Sequence, residues 1–149
     1  MREVPPVLIA CAGCDAVLRV PRERMSEAPR CPRCHTPVFP GKPLELEASS
    51  FDRHLMRSEL PLIVDFWAPW CAPCRMMAPH FEATARMFER QARFAKVNSD
   101  EERALSSRFD IRGIPTLIAW RDGRELSRQS GALDADRLQD WVRAAIGAP

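Results

Sequence analysis

Hydrophobic and polar positions change rhythm near residue 44. Beyond that point short apolar runs alternate with stretches whose apolar residues recur at helical spacing, the pattern of an α/β layer structure. Leu44-Glu45-Leu46-Glu47 alternates with period two, like a half-buried strand. Ser49 or Ser50 is placed to cap a short helix that turns Phe51, Leu55 and Met56 inward. Pro61-Leu62-Ile63-Val64-Asp65-Phe66-Trp67 is almost continuously apolar, the signature of a strand covered on both faces, and Asp65 alone interrupts it. Met77, Phe81, Ala85 and Phe88 then mark a long helix, which Pro79 should kink because it lacks a backbone donor. Phe94 to Val97 reads as a strand, and Glu101 to Phe109 as a helix with Leu105 and Phe109 on one face. Pro115 to Trp120 and Glu125 to Ser127 flank Asp122-Gly123, a dipeptide favoured in tight hairpins. A last helix, capped by Asp134, carries Leu138, Trp141, Val142 and Ile146.

The first 43 residues follow no such rhythm. They hold eight of the fourteen prolines, which leaves little room for helix or regular sheet. A chain of 149 residues therefore divides into a small appendage over 1–40, a linker over 41–44 and a main domain over 45–149. The formal charge of +2 argues against a nucleic-acid or membrane partner, and the seven basic against four acidic residues of the first 43 read as a solvated surface. No run reaches the roughly 18 apolar residues of a membrane span, and the apolar stretch before Cys11 is short for an export signal. A cytoplasmic monomer is the expectation, in a compartment where thiols stay reduced.

Six cysteines fall in three Cys-x2-Cys pairs, and one pair sits where the apolar strand gives way to the long helix. Cys71 and Cys74 lie within one turn of each other, close enough to close a disulfide with little rearrangement. Pro73 is tolerated in a first helical turn, where its missing N–H has no helical partner. Free N–H groups and the positive end of the helix dipole favour a thiolate on Cys71, below the ordinary thiol value of about 8.5. Cys71 is thus the expected nucleophile and Cys74 the inward-facing resolving thiol, the order of attack following from exposure. Asp65, hemmed in by Val64 and Phe66, should be buried with a raised pKa, placed to take the proton of Cys74 during resolution. Trp67 and Trp70 put aromatic rings on either side of this junction.

Phe66-Trp67-Ala68-Pro69-Trp70-Cys71-Ala72-Pro73-Cys74, together with Ile111-Arg112-Gly113-Ile114-Pro115-Thr116, resembles the thioredoxin family over roughly residues 44 to 147; Asp65, Lys96 and Ser130-Gly131-Ala132 extend the match. The resemblance implies a thioredoxin fold, a central mixed sheet flanked by helices, and the reduction of protein disulfides by the Cys71–Cys74 pair. It implies a cis bond before Pro115, substrate backbone pairing at Ile114, and a contact surface of Trp70, Ile114, Pro115, Gly131 and Ala132. It also implies a place for Lys96 near Asp65, although a solvated strand-end charge reads equally well. Ala72 stands where the family usually has glycine; alanine restricts the loop, so the redox potential does not carry over. The rival readings are a binding module on a thioredoxin scaffold and a thiol oxidase or isomerase.

Cys11-x2-Cys14 and Cys31-x2-Cys34 are separated by sixteen residues, within the range for one four-cysteine zinc ion. Two such knuckles complete a tetrahedron when the chain between them leaves and returns as a hairpin. Zinc would supply the folding energy that so proline-rich a segment lacks, while further redox pairs or disulfides remain the alternatives. His35 follows Cys34 and reads as a bystander rather than a ligand; His54 and His80 stand alone, as surface or satisfied core residues. With this segment the chain resembles the zinc-containing bacterial thioredoxins. That implies a cytoplasmic reductase with no bound organic cofactor, recharged by NADPH-dependent thioredoxin reductase, with duties in oxidative stress and zinc release when the thiolates are oxidised.

Overall fold

The computed structural model describes residues 4–148; residues 1–3 and 149, at the outer ends of the two expected domains, lie outside the described residues. Among the described residues the main body is a five-stranded sheet in the order β3-β5-β4-β6-β7. Its strands are β3 (Leu44–Glu45), β4 (Leu62–Trp67), β5 (Arg93–Asn98), β6 (Thr116–Arg121) and β7 (Arg124–Ser130). The first three run parallel, and β6 and β7 are antiparallel to their neighbours. β4 is the central strand, which explains why its sequence is apolar on both faces. Leu62, Val64 and Phe66 pack with Phe51 of α1 (Ala48–Asp52) and Leu105 of α3 (Arg103–Arg108). Ile63 packs on the other face with Met77 and Phe81 of α2 (Ala72–Phe88) and Leu138 and Val142 of α4 (Ala135–Ile146). The period of two therefore places Asp65 on the α2 face.

Several local expectations hold. Pro79 lies inside α2, Asp134 caps α4 by accepting the Arg137 N–H at 2.9 Å, and Asp122 and Gly123 take the positive φ of a tight hairpin turn (52° and 77°). Others fail for physical reasons. α1 is capped by Glu47, whose exchange with Ser50 forms a capping box, so neither Ser49 nor Ser50 is the cap. The chain then widens into a π turn, Arg53–Arg57, which changes the helical phase. Leu55 and His54 point inward, whereas Met56, expected in the core, is 59% exposed.

The N-terminal segment does contain sheet. β1 (Val7–Ala10) and β2 (Val17–Val20) form an antiparallel hairpin with the first cysteine knuckle at its tip. The second knuckle is enclosed by an isolated bridge between Arg30 and Pro37. The knuckles thus ride on hairpin tips, and the chain between them, with its single 3-10 turn at Arg22–Arg24, does not form the hairpin expected there. No proline falls within β1 or β2, so none opposes their pairing, and Pro37 itself takes part in the isolated bridge.

A small core of Val7, Ile9, Leu18, Val20 and Val38 takes Leu60 from the body. Arg93, 3% exposed at the start of β5, donates to the carbonyls of Val38 at 2.7 Å and Ala10 at 2.8 Å. Glu59 N–H donates to Leu8 O at 2.7 Å, and a His54 ring nitrogen lies 3.0 Å from the Asp15 carboxylate. Arg93 is in register with Leu62, so this latch sits where β4 begins, a strand length of roughly 20 Å from its other end, where Cys71 and Cys74 follow. Among the described residues no helix is long and apolar enough to cross a membrane.

Candidate redox centre and metal site

Cys71 is the N-cap of α2, with extended backbone, and its sulfur accepts the Cys74 N–H at 3.2 Å. Pro73 lies in the first turn, as the missing donor requires. Cys71 and Cys74 are joined in a disulfide, with Cα atoms 5.2 Å apart. Both are nearly enclosed, at 4% and 2% exposure, so accessibility does not rank them as the sequence reading supposed. Position does: Cys71 Sγ stands at the positive end of a 17-residue helix and takes an N–H bond, and both effects favour its thiolate.

The surroundings come from distant parts of the chain. Cys71 Sγ lies 3.8 Å from Ile114 O, beside the cis Ile114–Pro115 bond, and Pro115 O accepts the Gly131 N–H at 2.9 Å. Gly131 has φ +93°, a conformation that disfavours a side chain. Trp70 is 67% exposed, its indole donating to Asp100 at 2.9 Å. A shallow cleft of about 350 Å³ runs between Trp70, Asp100, Gly113 and Ile114. Ala132 is exposed next to Gly131 and does not line that cleft. Asp100 was missed in the sequence, where nothing local ties it to an indole 30 positions away.

Asp65 is fully buried, and neither carboxylate oxygen has a hydrogen-bond partner among the described residues. Burial pushes its pKa up from 3.8 to about 7, against the opposing pull of the Lys96 charge. Lys96 is half-buried and its ammonium lies 4.3 Å from the centre of the Trp67 ring, so it is neither a free strand-end charge nor a direct ion pair.

The sulfurs of Cys11, Cys14, Cys31 and Cys34 all lie within 4.8 Å of one another. Cys11 and Cys34 are 3.5 Å apart and Cys14 and Cys31 3.8 Å, close to the roughly 3.8 Å edge of a tetrahedron with Zn–S bonds of about 2.3 Å. Gly13 and Cys14 N–H point at Cys11 Sγ (3.2 and 3.4 Å) and Arg33 N–H at Cys31 Sγ (3.3 Å), an arrangement suited to thiolates. A Cβ on Gly13 would collide with Thr36 Oγ1 and come within 3.2 Å of Cys34 Sγ, so the first knuckle has no space for a side chain there.

Burial pushes the Cys11 thiol up to about 12, whereas hydrogen bonding to Thr36 brings Cys34 down to about 6 and the Cys34 backbone lowers Cys31. Asp15 and His35 occupy matching positions after the knuckles, with φ of 63° and 66°, and return N–H bonds to Cys11 O and Cys31 O. His35 is exposed and shapes the turn without joining the sulfur cluster; His54 is buried on Asp15, and His80 is exposed. These four cysteines can hold one metal ion.

Comparison with known proteins agrees with this geometry. The sequence model of the thioredoxin family matches residues 42–144. Thioredoxin C-3 of Corynebacterium nephridii is 40% identical over 136 residues, 91% of this chain and 93% of that protein, a span longer than the family match. Thioredoxin 1 of Synechococcus elongatus (strain ATCC 33912 / PCC 7942 / FACHB-805) is 41% identical over 94 residues, 63% of this chain and 88% of its own length. Among solved structures, a mutant thioredoxin from Halobacterium salinarum NRC-1 is similar with a TM-score of 0.66 and 32% identity, over 74% of this chain and 96% of that one.

Proposed function

Because the chain belongs to the thioredoxin family, we propose that it reduces protein disulfides with Cys71 as nucleophile, Cys74 as resolving thiol and Asp65 as proton acceptor. Family membership makes it a protein-disulfide oxidoreductase with disulfide-bearing protein substrates and a reductase that restores its dithiol. The observation that carries the finer reading is the N-cap position of Cys71, with the Cys74 N–H on its sulfur.

The cycle begins when the Cys71 thiolate attacks one sulfur of a substrate disulfide. A mixed disulfide forms and the other substrate sulfur leaves as a thiolate, which takes a proton from water. Cys74 then loses its proton to Asp65 and attacks Cys71 Sγ, closing the Cys71–Cys74 bond and expelling the second substrate thiolate. Two electrons pass to the substrate. Trp70, Ile114, Pro115, Gly131 and Ala132 form the contact surface, with the Ile114 backbone offered to an extended substrate segment. NADPH-dependent thioredoxin reductase, in the cytoplasm, returns the two electrons.

The N-terminal segment adds the finer identity, a zinc-containing thioredoxin of the thioredoxin 2 type, with residues 1–40 as ribbon, 41–44 as linker and 45–149 as the thioredoxin domain. Cys11, Cys14, Cys31 and Cys34 would hold zinc as four thiolates, and the ion would supply structural cross-linking with no role in the electron transfer. Insulin reduction driven by dithiothreitol tests the redox reading. Wild type should accelerate it and Cys71→Ser should fall to the uncatalysed rate; an unchanged Cys71→Ser rate would overturn the assignment. Elemental analysis of the purified chain should give one zinc per molecule, lost in Cys11→Ser.

A further inference from the structure

The two edges of the N-terminal hairpin are treated differently. Cys11 N–H donates to Ala16 O at 2.7 Å, which sets the phase of the ladder: Ile9 with Leu18 and Val7 with Val20 exchange bonds, while Leu8, Ala10, Val17 and Arg19 turn their backbone groups outward. On the β1 side the body covers this edge. Leu8 O takes the Glu59 N–H, Ala10 N–H lies 3.4 Å from Ser58 Oγ, and Ala10 O takes Arg93. On the β2 side the N–H and C=O groups of Val17 and Arg19 have no partner among the described residues.

That open edge borders a cleft of about 520 Å³. Leu18, Val20 and Val38 form its apolar floor, and Arg19, Arg24, Arg30 and Glu27 stand at its rim. Arg24 is 3.6 Å from Glu27, Arg30 spends one N–H on His35 O, and Arg19 is exposed without a side-chain partner among the described residues, so the rim is left cationic. Pro29 and Pro32 on the facing wall offer no N–H, so that wall is poorly suited to complete the sheet from within the chain.

We propose that β2 is a docking edge for an extended acidic segment of a partner protein, which adds to the hairpin as a third strand. Backbone groups of the segment pair with Val17 and Arg19. Its alternate apolar side chains continue the Leu18 and Val20 face, and its intervening carboxylates face Arg19 and Arg30. A nucleic-acid strand fits less well, because phosphates answer the arginines but supply no donor-and-acceptor ladder for the strand edge. The site is independent of the redox reading, since it uses none of the residues around Cys71.

The probe is a blocked peptide of about eight residues alternating Glu and Val, a common strand length, titrated into the isotope-labelled, metal-loaded full chain. The Val17 and Arg19 amides should shift and exchange more slowly, and Arg19→Glu should weaken binding about tenfold or more while reducing insulin as wild type does. The proposal is overturned by undisturbed Val17 and Arg19 amides, by equal binding to Arg19→Glu, or by equal binding of a Lys-Val peptide. An N-methylated Glu-Val peptide that binds as well would reduce the contact to charge alone and also overturn it. Concentration-dependent shifts at Val17 and Arg19 without peptide would assign the edge to a second copy of this chain instead.

Discussion

Asp65 and Lys96 are partners in the register of the parallel β4–β5 pair, yet the Lys96 ammonium lies over the Trp67 ring and the Asp65 carboxylate bonds to nothing among the described residues. A fold built for stability alone would have closed that pair or replaced the acid. The uncompensated carboxylate instead has a pKa raised to about 7, matched to moving a thiol proton at neutral pH.

Asp65→Asn should therefore stabilise the protein and slow it. Below pH 3.8 the acid is protonated in both the folded and unfolded chain, so the substitution gains nothing from titration. As pH rises from 3.8 to about 7, folding requires proton uptake and wild-type stability declines; above 7 the penalty is complete. Paired urea unfolding should show the variant ahead by roughly 2–4 kcal/mol at pH 8, with the margin vanishing near pH 3.5. Turnover at neutral pH should fall about tenfold or more at the resolution step.

Cys74→Ser should leave the first attack intact and block the second. Mixed with a disulfide-bearing protein, this variant should accumulate a covalent adduct at Cys71, visible by non-reducing electrophoresis and released by dithiothreitol. Cys71→Ser should form no comparable adduct, because the remaining thiol lacks the helix N-cap place and the N–H bond that favour the thiolate at Cys71.

Arg93→Met removes the charged donor from two buried carbonyls, Val38 O and Ala10 O, and should cost about 3–5 kcal/mol in ribbon stability. Hydrogen exchange should rise across residues 7–38 and remain near wild type in β4 and α2. Insulin reduction should persist, since the latch sits where β4 begins and the redox pair follows its other end.

Gly13→Ala should lower zinc affinity about 10–100-fold, because the added methyl presses on Thr36 and Cys34. Competition with a chromophoric chelator measures this directly. Stripping zinc from wild type should loosen the ribbon and leave the thioredoxin core folded, as followed by exchange at the Ile63 and Leu117 amides.

The sequence makes much of this legible because periodicity reports burial. The apolar run from Leu62 to Trp67 identifies the central strand, and the one carboxylate that interrupts it marks Asp65 as unusual from the sequence alone. Asp122-Gly123 and Asp134 act through short-range backbone chemistry and read equally well. What escaped depends on long-range contacts. Met56 went outward because a π turn shifted the helical phase, which no local propensity announces. Arg93 looks like an ordinary solvated charge until the ribbon's carbonyls arrive from as far as 83 residues away, and Asp100 means nothing until Trp70 is placed against it. His54 could be narrowed only to surface or satisfied core, since its partner Asp15 lies in the other part of the chain.

The most direct measurement is the pH dependence of alkylation in the fully reduced protein, with the modified cysteine located by mass spectrometry. Cys71 should react first, with a midpoint well below the ordinary thiol value of about 8.5, while Cys74 stays protected. A Cys71 midpoint at or above that value, or faster modification of Cys74, would contradict the account.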